Sequence, residues 1–205
     1  MPSPSPTTVP AETAFDPMVF WIQNRTRILM LIGVFAVALA AYGISELARN
    51  HKLDAAAEAF STAKTPDDLK KLISNYSGTP VAGSAHLLLA DQLRNEGKID
   101  ESTTVLRSFI EKYPKHEFIS GAWMSLAANQ EAQGKADEAL ATYQKISTSY
   151  SSSFSAPTAL MAQARILKAK GKSEEARRIY EQVITQFPDN IVSQQAAVEN
   201  RLIKK

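Results

Sequence analysis

The stretches GKIDESTTVLRSFIEKYP (residues 97–114), GKADEALATYQKISTSYS (134–151) and GKSEEARRIYEQVITQFP (171–188) start 37 residues apart in both steps. A fixed period of this length marks a repeat array, and it governs how the rest of the chain is read. Four further columns keep the same register. They are Tyr76, Tyr113, Tyr150 and Phe187; Ser102, Ala139 and Ala176; Leu106, Tyr143 and Tyr180; and Phe109, Ile146 and Val183. Each column has a physical reason. The Gly ends the first helix of a helical hairpin, where a left-handed residue costs least without a Cβ. The small residue that follows it lets the second helix approach the first closely. The larger apolar residues beyond share one helical face and fill the hairpin. Pro114 and Pro188 stand where the second helix has to stop.

With Gly171, Ala176, Tyr180 and Pro188 in place, the unit resembles the second half of a tetratricopeptide repeat (TPR). The preceding residues agree with the opening helix of such a repeat: Trp123, Leu126 and Ala127 in one unit, Leu160 and Ala164 in the next. The resemblance covers residues 82–190 as three units, 82–116, 119–153 and 156–190. It implies a right-handed superhelix of TPR-like hairpins, and with the one transmembrane helix expected over residues 28–45 before it, the expected fold is all-α. Two departures stand out. The period exceeds the usual ~34 residues, with the extra ones in KHEFIS (115–120) and SSSFSAP (151–157). Ser102 also replaces the expected Ala and Ser151 the expected Pro, which predicts looser packing at both places. The flanks extend the stack. Residues 46–81 read as a linker helix and a degenerate hairpin, with Thr65 as a cap, Pro66 in the first turn, and Leu69, Leu72, Ile73 and Tyr76 as the apolar face. Residues 191–205 read as the polar capping helix that such arrays need for solubility.

The N-terminal part has a different character. Residues 1–14 hold four of the ten prolines and almost nothing large and apolar, which predicts a disordered tail continuing as a juxtamembrane segment to residue 27. Residues 28–45, ILMLIGVFAVALAAYGIS, are uncharged and mostly apolar. As a helix they reach roughly 27 Å at ~1.5 Å per residue, close to the ~30 Å hydrocarbon core of a bilayer. Phe20, Trp21 and Tyr42 flank the run where amphipathic rings prefer the headgroups. A cleaved signal peptide is the competing reading, with Ala38-Leu39-Ala40 as the processing site. Glu12 and Asp16 in a long leader, and an apolar run that continues past Ala40, argue for an uncleaved anchor. Arg25 and Arg27 before the run are nearly balanced by Arg49 and Lys52 after it. The expectation is a bacterial inner-membrane protein, single-pass, with a cytoplasmic N-terminus and a periplasmic C-terminal domain.

Composition narrows the chemistry. Lys and Arg total 23 against 21 Asp and Glu, a net charge of +2, with no basic stripe of the kind nucleic acid requires. The chain has no cysteine, so disulfides, thiolate zinc sites and thiol nucleophiles are excluded. Gly171-Lys172-Ser173 ends like a phosphate-binding loop, but Ile166 stands where that loop needs Gly. His51, His86 and His116 have no carboxylate at metal-ligand spacing; His86 shares a column with Trp123 and Leu160 and reads as a half-buried packing residue. The Ser-rich residues 147–155 lack a His–Asp partner, and Asp67-Asp68 belong to a helix N-terminus. No catalytic, metal or cofactor-binding residue is therefore expected, and the chain reads as a non-enzyme that binds proteins.

The binding surface is expected on the first helices. Leu87, Met124 and Met161 keep the period and fall where the concave face of such a superhelix lies. Asp91, Ala128 and Arg165 follow one turn on, then Arg94, Glu131 and Lys168. Methionine adapts to varied partners; the competing reading is that this column merely packs between hairpins. The charges do not reproduce the Lys/Asn/Arg clamp by which some chaperone-binding TPR domains hold a C-terminal carboxylate.

The layout of tail, anchor and hairpins is similar to the ancillary subunit family of the bacterial Sec translocon. The residues that carry this likeness are Tyr76-Ser77-Gly78-Thr79-Pro80 and AGSAHLLLADQLRNEGKIDES (82–102). It implies protein partners: translocon subunits, exported chains or envelope chaperones. Two other readings stay open. One is an assembly factor for cytochrome, outer-membrane or cell-division complexes, and the other a secreted soluble TPR protein released near Ala40.

Overall fold

The computed structural model describes residues 17–203, and these form helices with no strand among the described residues. The predicted disordered tail, residues 1–14, lies outside them. The chain divides into two compact units, Met1–His51 and Lys52–Lys205.

The first unit contains most of one long helix, α1 (Pro17–Thr62). The helix takes in residues 17–27, expected as a juxtamembrane tail, and it does not stop at Ser45. The physical reason is the absence of any helix breaker. Pro17 suits the first turn, and Asn24 and Ser45 satisfy their polar ends on the carbonyls of Phe20 and Tyr42. Glu46 accepts from Tyr42 at 3.2 Å and pairs with Arg49 at 2.8 Å. Charges end an apolar run without ending a helix. Within α1 an 18-residue window has a mean hydropathy of 2.3 and is wholly unburied, so the helix is long and apolar enough to cross a membrane.

The second unit is a row of antiparallel helices. The end of α1 is followed by α2 (Pro66–Asn75), then by the pairs α3 (Pro80–Asn95) with α4 (Ile99–Lys112), α5 (Ile119–Ala132) with α6 (Ala136–Ser149), and α7 (Ala156–Ala169) with α8 (Ser173–Gln186). The closing helix is α9 (Ile191–Leu202). Thr65 caps α2 in a reciprocal box with Asp68. Its hydroxyl and the nearby backbone N–H groups hold the Asp68 carboxyl below the usual carboxylate range.

Three near-identical turns join the paired helices. Gly97, Gly134 and Gly171 have φ of 77°, 75° and 75°. The following Lys N–H reaches back to Leu93, Gln130 and Leu167 at 2.8–2.9 Å, closing each first helix with a Schellman bond. Acidic residues then open each second helix: Asp100 and Glu101, Asp137 and Glu138, Glu174 and Glu175. The aromatic column Tyr76, Tyr113, Tyr150 and Phe187 supplies the C-cap of every second helix, each N–H bonding the carbonyl four residues back. Tyr113 also receives the Gly78 N–H on its hydroxyl at 3.1 Å, tying one turn to the hairpin before it.

The small-residue column is buried, and Ala139 and Ala176 are fully so. Ser102 corrects an expectation. It does not loosen its hairpin: at 1% exposure it donates to the Ala90 carbonyl at 2.7 Å and accepts from buried Asn129 Nδ2 at 2.9 Å. His86 is buried rather than half-buried. Its Nδ1 lies 2.7 Å from the Ala82 carbonyl, and its ring sits edge-on to Tyr113.

Candidate protein-binding groove

Two cavities open beside the first helices of successive hairpins, and several of the charged residues expected there link neighbouring helices. A cavity of about 740 Å³ is lined by Met124, Met161, Ala162, Tyr143 and Tyr180. Arg165, Lys168, Thr158, Gln195 and Glu199 complete its rim. A smaller recess of about 180 Å³ is lined by Leu87, Asp91, Arg94, Phe118 and Gly121. The nine expected residues are thus divided. Met124, Met161, Arg165 and Lys168 line the large cavity, and Leu87, Asp91 and Arg94 the small one. Ala128 is partly buried and lines neither.

Glu131, the ninth, is a junction. Its carboxylate accepts from Arg165 Nη2 at 2.6 and 2.8 Å and from the Tyr143 hydroxyl at 2.7 Å, joining α5, α6 and α7. Burial and that carboxylate push the Tyr143 phenol above its ordinary range, so it remains a donor. Further along, Lys168 pairs with Glu199 of α9 at 3.0 Å, which holds its ammonium above the usual lysine value. Burial, then the charge of Glu199, raises Tyr180 likewise. Arg94 donates to Asn129 at 2.6 Å and so joins the buried Ser102 relay. Lys170 pairs with Asp137 on the same principle.

In the large cavity both cations, Arg165 and Lys168, are already paired with carboxylates, Glu131 and Glu199, so an ionic ligand entering it must displace an existing partner. The apolar wall is what remains available, and its volume falls within the range of small-molecule and side-chain pockets.

Among the side chains missed from sequence are Tyr143, Tyr180, Thr158, Gln195 and Glu199 on the large cavity and Phe118 on the recess. The column pattern assigns the two tyrosines only to hairpin filling. Their replacement of Leu106 in that column was the available signal, since a buried phenol needs somewhere polar to end. Thr158 and Gln195 follow Gly121 at the 37-residue step, so the period itself pointed to them. His51 is exposed on α1, and His116 sits in the α4–α5 turn with Nε2 3.3 Å from the Pro80 carbonyl.

The profile of the tetratricopeptide repeat-like domain family matches residues 19–203. Among solved structures, a putative kinesin light chain from Podosopora anserina with nearly identical TPR-like repeats is similar at a TM-score of 0.53 and 20% identity, over 76% of this chain and 81% of that one. A variant of the same protein gives 0.54 and 20%, over 76% and 80%. At that identity the likeness shows the fold alone. No curated protein matches the sequence. Nine helices among the described residues, turns repeating every 37 residues and a family match over nearly all of the chain lead to one conclusion: this protein belongs to the tetratricopeptide repeat-like domain family.

Proposed function

We propose that this protein is a membrane-anchored adaptor that holds other proteins in the cell envelope, working at the Sec translocon with envelope chaperones and newly exported chains. Residues 28–45 are the transmembrane span, the N-terminus is cytoplasmic and the hairpins are periplasmic. The observation that carries this reading is the groove over Met124 and Met161, an apolar wall of about 740 Å³ whose ionic groups are already paired. Such a surface suits side chains of a polypeptide better than a charged metabolite. The unburied apolar window of α1 supports the tether. TPR-like folds generally mediate protein–protein interaction, and fold alone does not choose the partner.

Photo-crosslinking side chains placed at Met124 and at Met161 in the full chain test it, with exposed Lys112 as the control position. The expected result is capture of translocon subunits, exported chains or envelope chaperones at both groove positions. Capture no greater than at Lys112 overturns the reading. Intact mass of the membrane-extracted chain tests the anchor: a mature protein starting just after Ala40 rules it out.

A further inference from the structure

We propose that Phe118, Phe154 and Ile191 form an apolar rim along the groove, and that the rim grips an unfolded polypeptide segment rich in aromatic and aliphatic residues and carrying no net charge. The proposal rests on the groove reading above and names the residues and partner chemistry that give it selectivity.

The three side chains are 45%, 71% and 79% exposed, although each belongs to a residue type that normally leaves water. They recur at one place in the fold. Phe118 directly precedes α5, Phe154 comes two residues before α7, and Ile191 opens α9. Phe154 and Ile191 are separated by the repeat length, and Phe118 is one residue off that register. Each follows a polar run, KHE, SSS and PDN, so nothing in the local chain calls for a large apolar side chain there.

Their positions connect to the groove. Phe118 lines the recess that holds Leu87 and Arg94. Gly121 lines the same recess, and a Cβ built on it would lie 3.6 Å from Phe154 Cζ, so both rings flank one opening. Thr158 takes the place of Gly121 one hairpin later and lines the large cavity. By register, Ile191 stands to that cavity as Phe154 stands to the recess. The result is a row of exposed apolar groups beside cavities with apolar walls, the pattern of an interaction surface rather than of scattered surface residues.

Charge selects the occupant. In the large cavity Arg165 Nη2 donates to both oxygens of Glu131, and Lys168 is held by Glu199. There an acidic or a basic segment gains one ion pair only by breaking another, whereas an uncharged apolar segment breaks none. Folded proteins bury such segments, and unfolded ones expose them.

The test uses the full chain in lipid nanodiscs, with empty nanodiscs subtracted, and three labelled peptides. These share one aromatic and aliphatic content and are neutral, acidic or basic; binding is read by fluorescence anisotropy. Two variants are compared with the parent. The rim variant is Phe118→Ser, Phe154→Ser and Ile191→Ser together; the wall variant is Met124→Gln with Met161→Gln. The proposal expects tightest binding of the neutral peptide, weakened about tenfold or more in the rim variant while circular dichroism shows unchanged helix content. Equal or tighter binding of a charged peptide overturns the partner chemistry. A rim variant that binds like the parent while the wall variant fails overturns the rim and leaves the groove reading standing. Undiminished binding by both variants overturns both. A parent that self-associates, with the rim variant monomeric by light scattering, assigns the rim to a second copy and overturns the proposal.

Discussion

Ser102 occupies the position that Ala139 and Ala176 fill in the later hairpins, yet its hydroxyl is committed twice, to the Ala90 carbonyl and to the Asn129 amide. Replacing it with the Ala of its sister repeats leaves a buried Asn129 N–H without an acceptor, at a cost of about 1–3 kcal/mol. Urea melts of Ser102→Ala are expected to show that loss; an unchanged or raised midpoint contradicts the relay. The small-residue column was legible because spacing and size are one-dimensional. The relay was not, because a hydrogen bond spanning 27 residues leaves no period. His86 makes a second prediction at this scale. Burial holds its pKa below the ordinary 6.5, with the Lys112 charge acting in the same direction and the Ala82 carbonyl opposing. Below pH 6.5 the unfolded chain takes up a proton that folded His86 refuses, so stability is full above that value and falls as pH drops through the window beneath it. Denaturation midpoints measured from about pH 5 to 7 should slope upward with pH, and His86→Phe should flatten the slope. An equal slope in the variant would locate the dependence elsewhere.

The helices and their turns show two different demands on glycine, and they can be separated. Gly134 sits at φ 75° with open space where a Cβ would go, so Gly134→Ala costs only the backbone preference, about 1–2 kcal/mol. Gly83 lies inside α3, where Ala favours the helix, but its Cβ would meet the His116 ring at 2.8 Å. That ring is held between the Pro80 carbonyl and the Phe118 N–H, so Gly83→Ala must loosen the α4–α5 turn against α3. Thermal melts should show both variants destabilised, while only Gly83→Ala raises amide exchange at Phe118. Protection there equal to the parent's would contradict this notch. Hairpin boundaries were readable because Gly, an acidic first turn and a closing aromatic repeat together. The extent of α1 was not, because the apolar run 28–45 reports what surrounds a helix, and only Pro or paired Gly would report where it ends.

At the scale of the whole molecule, the chain holds an apolar helix and a stack whose core the stack supplies for itself. The stack begins inside α1. Ala56 is fully buried, and Ala59, Phe60 and Ala63 pack against the core cluster that includes Leu69 and Leu72. Lys52 reaches the Ser77 carbonyl at 3.2 Å. At the other end Ile203 is buried against the last hairpin, its carbonyl accepting from Arg177 at 3.1 Å, and Ala196 is fully buried. Arrays of this kind draw stability from neighbour to neighbour, so an end repeat stripped of its cover frays first. A fragment Lys52–Lys205 keeps both covers and is expected to be soluble, helical and cooperative in denaturation. One starting at residue 64 discards Ala56 and Phe60, which uncovers Leu69 and Leu72. Its melt should broaden, with hydrogen exchange rising in α2 and α3 while α7 and α8 keep their protection. Loss of protection in all of these helices together would show a single cooperative block, and the neighbour-to-neighbour account would then fail for this protein.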